Sequence, residues 1–238
     1  MRQRVSNVST IQALIFDFDG LIVDTESPWC EVWREIYRAH GCSLPVSQWA
    51  KWISSTETPD PCSYLSEQLG RPVDRSAIHS RWRARYAALL PRQPVLPGVE
   101  ACIFEAGRRG LRLGVASSAP RAHVLGNLER LGLASHFDSI HCADDVERVK
   151  PDPALYLAAM SALAVSAGQA IALEDSPNGV LAAKRAGLFC VAVPNALTRQ
   201  LALDEADLRI DSLVDLDLDS LPEQVQSRRM RWTRTQLM

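Results

Sequence analysis

The stretch Ala13-Leu14-Ile15-Phe16-Asp17-Phe18-Asp19-Gly20 decides how this chain is read. Ala13 to Phe16 is a short, continuous apolar run and reads as a buried strand, of the kind covered on both faces in parallel sheets. Two aspartates and a glycine follow it directly. Charge therefore stands at the end of a buried strand.

From Trp29 the pattern changes: Trp29, Val32, Trp33, Ile36 and Tyr37 recur at three- and four-residue spacing, and Gly41 closes the helix they define. A second helix starts at Asp74 as N-cap, with Ile78, Trp82, Tyr86 and Leu89 on one face. No strand separates them, so residues 27–92 read as an all-helical insert, and the Pro-rich stretch 91–99 leads out of it. Beyond it helix and strand alternate. Helices are expected near 98–109, 121–131, 153–164 and 177–186, and strands at 111–117, around Ile140, at 170–173 and at 189–193. The expected fold is an α/β, doubly wound, Rossmann-like parallel sheet with an inserted helical cap domain. Residues 1–26 and 93–225 would form the catalytic core, 27–92 the cap, and 226–238 a basic tail.

The chain has 238 residues, enough for one large domain or a domain carrying a smaller one. Lys plus Arg is 26 against 28 Asp plus Glu, a net charge of −2, so no overall field draws it to nucleic acid or an anionic membrane. Its six cysteines form no C-x-x-C pair, which fits reduced, intracellular usage. The basic leader before Ile11 resembles a signal peptide, but Asp17 and Asp19 cut the apolar run short. The expectation is a cytoplasmic protein that binds neither nucleic acid nor membrane, its oligomeric state left open with a monomer favoured.

In a doubly wound sheet, ligands bind beyond the carboxyl ends of the strands. The residues there are polar: Asp17 and Asp19, then Ser117 and Ser118, Lys150 in a loop held out of helix by Pro151 and Pro153, and finally Glu174 and Asp175. Two aspartates one residue apart can divide labour between nucleophile and acid/base. A second D-x-D pattern, in 214–220, has neither a buried strand before it nor a glycine after it, and reads as a solvated acidic segment. Glu174 and Asp175 add oxygen ligands of the kind Mg²⁺ takes. Asp175, Ser176 or Asn178 also suits a helix cap. Lysine is scarce, 3 of the 26 basic residues, which favours a reason for Lys150. Ser117 and Ser118 precede a helix whose N-terminus can face an anion, although serines there often serve only as caps. Together these groups describe a pocket for phosphate and metal.

FDFDGLIVDTE (16–26), VASS (115–118), VKPDP (149–153) and LEDSPNG (173–179) resemble, in order, the four motifs of the haloacid-dehalogenase-like superfamily. The helical insert after the first motif is similar to the cap of its beta-phosphoglucomutase-like, phosphatase-containing branch. The resemblance implies that Asp17 attacks phosphorus to form an aspartyl-phosphate while Asp19 protonates the leaving oxygen and then deprotonates water. It implies Mg²⁺ held by Asp17, the Asp19 carbonyl and Asp175, with Glu174 adjacent, and phosphoryl oxygens bound by Ser117 and Lys150, with Ser118 beside them. Gly20 would allow a tight turn, and Asp24 with Thr25 would fix the loop entering the cap.

The sugar-phosphate mutases of this branch carry a histidine early in the first cap helix and a glycine and arginine in a following loop. Here Trp29 and WISST (52–56) stand near those places, so hydrolysis of a small phosphorylated metabolite becomes the leading reading and mutase the alternative. A phospho-accepting receiver domain is a third reading, opposed by the helical insert and by an acceptor on the first strand. Arg75, His79, Arg81, Arg83 and Arg85 read as a solvated helix face, with contact to a second anionic group of the substrate as the alternative. Trp29, Trp33 and Trp82 read as packing, and the Arg-rich tail as untethered.

Overall fold

The computed structural model describes residues 11–53 and 59–227. Its centre is β1 (Ala13–Phe16), all four residues of which are buried. Strands β2 (Arg112–Ala116), β3 (Ser139–His141), β4 (Ala170–Glu174), β5 (Phe189–Ala192) and β6 (Leu208–Arg209) complete a six-stranded sheet in the order β3-β2-β1-β4-β5-β6. Every pairing is parallel. The chain leaves β1 towards β2 on one side and later returns to β4 on the other, so the switch point of the sheet lies at the end of β1. Phe16 is in register with Val115 and with Leu173, which brings the chain after three strands to one edge.

Two apolar layers cover the sheet. Leu14 and Phe16 face Val99, Ile103 and Val124, in a layer built with α5 (Val99–Arg108) and α6 (Arg121–Arg130). Ala13 and Ile15 face Leu155, Ala159 and Val180 of α7 (Ala154–Ala162) and α8 (Pro177–Arg185). Alternate residues of β1 thus serve opposite layers, which is why its sequence is apolar without a break.

The insert holds α1 (Glu26–Ala39), α2 (Val46–Ile53), α3 (Pro61–Leu69) and α4 (Arg75–Leu89). Asp74 caps α4 by accepting from the Ala77 N–H at 3.0 Å. These helices share their own apolar cluster, and Leu197, from the loop after β5, is buried in it. Trp29, Trp33 and Trp82 are packing residues there: Trp29 meets Trp49 edge-on at 5.4 Å, and Trp33 stacks on Trp82 at 6.4 Å.

β6 departs from the sequence reading, which ended the sheet at β5. Two residues with one exposed are too short to show a periodicity. What holds the edge is long-range: Asp207, its side chain 6% exposed, accepts from Lys184 Nζ at 2.5 Å and from the Cys190 N–H at 2.9 Å. The 214–220 segment does carry exposed aspartates at 215, 217 and 219. Residues 54–56 of WISST and the arginines of the tail at 228, 229, 231 and 234 lie outside the described residues. Among the described residues, no helix is long and apolar enough to cross a membrane.

Ile15 is fully buried in the central strand. Ile15→Ala is expected to cost about 2–5 kcal/mol of stability, read as a shift in the urea unfolding midpoint.

Candidate active site

The carboxyl edge of the sheet gathers residues from across the chain. Asp17 follows β1, and its N–H donates to the Leu173 carbonyl at 2.9 Å, so the backbone itself fixes it beside β4. Its Oδ1 accepts from Lys150 Nζ at 2.5 Å. The same ammonium donates to Glu174 Oε1 at 2.6 Å, and Tyr156 of α7 donates its hydroxyl to that oxygen at 2.8 Å. Glu174 Oε2 takes the N–H groups of Asp175 (3.1 Å) and Ser176 (3.4 Å) and the Ser176 hydroxyl (3.3 Å). Both oxygens of Glu174 are thus engaged within the protein. Oxygens of Asp17, Glu174 and Asp175 nonetheless lie within 4.8 Å of one another.

Asp19 meets a different set of groups. Thr25 donates its hydroxyl to Oδ1 at 2.7 Å, His123 Nε2 lies 2.9 Å from the same oxygen, and Ser117 Oγ is 3.4 Å from Oδ2. Ser117 is buried and also accepts from the Ala119 N–H at 3.0 Å. Ser118 is exposed. At the N-terminus of α6, the Arg121 N–H donates to Asp144 Oδ2 at 2.5 Å. Ser176 caps α8 by accepting from the Gly179 N–H at 3.2 Å.

Asp175 accepts from Asn195 Nδ2 at 2.8 Å and from Thr198 Oγ1 at 3.4 Å, both neutral donors. Asn195 also reaches the Gly20 carbonyl (3.2 Å) and Glu26 Oε2 (3.3 Å). Gly20, at φ +85°, lets the chain turn here, and a Cβ on it would stand 2.5 Å from both Asn195 Nδ2 and Asp175 Oδ2. Asp24 accepts from the Ser27 N–H at 2.8 Å at the entry to α1.

The charges do not balance. Asp17 and Glu174 share the Lys150 ammonium and Asp19 meets His123, while Asp175 and Glu26 meet the neutral amide of Asn195. Burial lifts Asp17 to about 7 against the pull of Lys150, with Glu174 and Asp19 adding to the rise. Burial carries Glu26 to about 8 despite its hydrogen bond from Asn195. Asp175 is held well above the carboxylate range by burial, then by Glu26 and Asp17. Burial works against the Lys150 charge, yet Asp17 and Glu174 hold it above its ordinary value. The hydrogen bond to Asp19 raises His123, opposed by its own burial. Burial and mutual repulsion both disfavour the charged form of these carboxylates, and a bound cation would offset that repulsion. The donor set is all oxygen, which suits a hard divalent ion.

Sequence reading missed His123, Asn195, Thr198, Tyr156 and Glu26. Asn195 lies at the carboxyl end of β5, where the strand-end rule would have found it. His123 and Tyr156 carry no such signal, because a single polar residue in a helix has no marker of what it faces. Arg75 and Arg85 are engaged with Asp60 and Glu35, whereas Arg81 and Arg83 are exposed.

The model of the haloacid dehalogenase-like hydrolase family matches residues 14–193, a span that contains every one of these strand-end residues except Asn195 and Thr198. The chain belongs to that family. It is 44% identical over 218 residues to YhcW of Bacillus subtilis (strain 168), covering 92% of this chain and 99% of that one. It is 34% identical over 204 residues to the validoxylamine A 7'-phosphate phosphatase of Streptomyces hygroscopicus subsp. limoneus, covering 85% and 94%. Among solved structures, CbbY from Rhodobacter sphaeroides in complex with phosphate superposes with a TM-score of 0.71 at 32% identity, covering 89% and 99%. A mutant of CbbY has been solved with xylulose-(1,5)bisphosphate. The chain is accordingly a phosphoric monoester hydrolase, and membership of this family sets aside the receiver-domain reading.

Gly179 shows how tightly the acidic cluster is built, because a Cβ there would sit 1.9 Å from the Glu174 carboxylate. Gly179→Ala is expected to displace Glu174, lowering both melting temperature and phosphatase turnover. Ser176→Ala, which removes a helix cap, is expected to cost only about 0.5–2 kcal/mol by comparison.

Proposed function

We propose that the protein is a Mg²⁺-dependent phosphatase of a small phosphorylated metabolite and works through an aspartyl-phosphate on Asp17. The observation that carries this reading is the pairing of Asp17 with Lys150 at 2.5 Å in a buried, acid-rich pocket at the switch point of the sheet. Asp17, Asp175 and the Asp19 carbonyl would hold the ion, with Glu174 beside them serving mainly to hold Lys150. When bound, the ion supplies positive charge that offsets carboxylate and phosphate.

In the first half-reaction a carboxylate oxygen of Asp17 attacks phosphorus as the bond to the leaving oxygen breaks, and Asp19 gives that oxygen a proton. In the second, Asp19 takes a proton from water, whose oxygen attacks the phosphoryl group, frees Asp17 and releases inorganic phosphate. Lys150 and Ser117, with Ser118 at the rim, steady the phosphoryl oxygens. Thr25 and His123 position Asp19 for both transfers. The helical cap, which we bound at residues 27–92, closes over the leaving group and excludes competing water. Relatives named for validoxylamine phosphate and complexed with xylulose bisphosphate support a polyhydroxylated leaving group for this chain as well.

Hydrolysis is preferred to phosphoryl transfer within one sugar because Trp29 is packed against Trp49 and Trp82 in the cap cluster, at the place where a mutase carries histidine. Free phosphate from hexose phosphates, with no isomer formed, is the expected product; an isomer without phosphate release would assign the chain to the mutases. Asp17→Asn is expected to abolish turnover of p-nitrophenyl phosphate, and retained turnover would remove Asp17 from the role of nucleophile.

The acid cluster also makes a stability prediction. Asp17 and Glu26 bind protons more tightly folded than unfolded, so their contribution in metal-free protein is present below about pH 4 and is lost as pH rises through 7 to 8. Mg²⁺ competes with those protons. The rise in melting temperature that it produces is therefore expected to be larger at about pH 8 than at about pH 6.

A further inference from the structure

A second group of ligating side chains lies in the helical cap, outside the carboxylate cluster of the core. Asp60 is the N-cap of α3, Cys62 lies in the first turn of that helix, and His79 comes from α4. Their ligand atoms all fall within 4.8 Å of one another. Cys62 Sγ is 3.8 Å from His79 Nε2, and His79 Nε2 is 4.0 Å from Asp60 Oδ1. We propose that Asp60, Cys62 and His79 form a zinc site that ties the start of α3 to α4.

The distances are close to those a tetrahedral ion requires. With Zn–S of about 2.3 Å and Zn–N and Zn–O of about 2.0–2.1 Å, sulfur and nitrogen stand about 3.6 Å apart, and nitrogen and oxygen about 3.4 Å. Closing onto the ion thus asks for a contraction of roughly 0.2–0.6 Å at the two measured pairs. His79 can supply it, since its side chain is 40% exposed. Cys62 is fully buried, which shields the sulfur from solvent.

The carboxylate is already oriented for the task. Its Oδ2 faces the Arg75 guanidinium and the Ser63 hydroxyl, and Arg75 donates to Ser63 Oγ at 2.9 Å. Its Oδ1 faces the other way, towards the Cys62 N–H at 3.1 Å and the imidazole. Arg75 and Ser63 therefore hold the outer oxygen and turn the inner one to the thiol and the ring, as outer partners do around ligating carboxylates. Trp33 packs against the imidazole in a T-shaped contact, with ring centroids 5.9 Å apart. A thiolate with an imidazole selects zinc over Mg²⁺, and a water would complete the four ligands of a tetrahedral ion. The thiol proton is released to solvent as the ion binds.

The test is a zinc titration of metal-free protein in excess Mg²⁺, which fills all-oxygen sites and competes poorly for sulfur and nitrogen. One zinc equivalent is expected for the wild type and for Asp17→Asn, and its loss for Cys62→Ser and for His79→Ala. With Co²⁺ in place of zinc, a thiolate-to-metal absorption band is expected in the wild type and not in Cys62→Ser. Should Cys62→Ser misfold, His79→Ala changes a half-exposed side chain and carries the test alone, with circular dichroism confirming its fold. Equal zinc stoichiometry in wild type and His79→Ala, or no thiolate band in the wild type, would overturn the proposal.

Discussion

The structure depends on one buried ammonium. Lys150 lies between Asp17 and Glu174 with its side chain 5% exposed, so its charge must be met by protein groups. Such a pair adds little to stability over an apolar core, yet losing either partner leaves an uncompensated buried charge. Four separate segments are bound by this requirement. The turn directly after β1 supplies Asp17, β4 supplies Glu174, the loop before α7 supplies the lysine, and α7 supplies Tyr156. Gly179 completes the set by having no side chain where the Glu174 carboxylate lies.

Around that pair the two neighbouring aspartates live in different surroundings. Asp17 faces an ammonium among other carboxylates, whereas Asp19 faces a hydroxyl and an imidazole. Environments that differ in this way are how one site assigns separate roles to like groups. The residue between them, Phe18, is buried and meets His123 edge-on at 5.8 Å, so the imidazole that touches Asp19 is also packed against the same loop.

Cap and core are joined by the loop after β5. Asn195 Oδ1 accepts from the N–H groups of Leu197 (2.8 Å) and Thr198 (3.0 Å), while its amide nitrogen reaches Asp175 and Glu26. Leu197 is buried among the cap aromatics. A few consecutive residues thus set both the seat of the cap and the position of an acidic group in the site. Tyr86 of α4 adds a second tie, donating to the Thr25 carbonyl at 3.3 Å.

The chain taken as a string of residues determined the strand-and-helix succession from β1 to β5, the helical insert and the polar groups at the strand ends, because apolar runs, helical spacing and punctuating glycines are local patterns. β6 escaped that reading, being two residues long and held by Lys184 through Asp207. Only the tertiary structure decided what each site residue touches: that Glu174 spends its oxygens on Lys150, Tyr156 and backbone, that α6 gives its first N–H to Asp144, and that His123 comes to Asp19. Those contacts arise from strand register and helix packing between segments up to 175 positions apart, as with Asn195 and Gly20, and no short-range pattern records them.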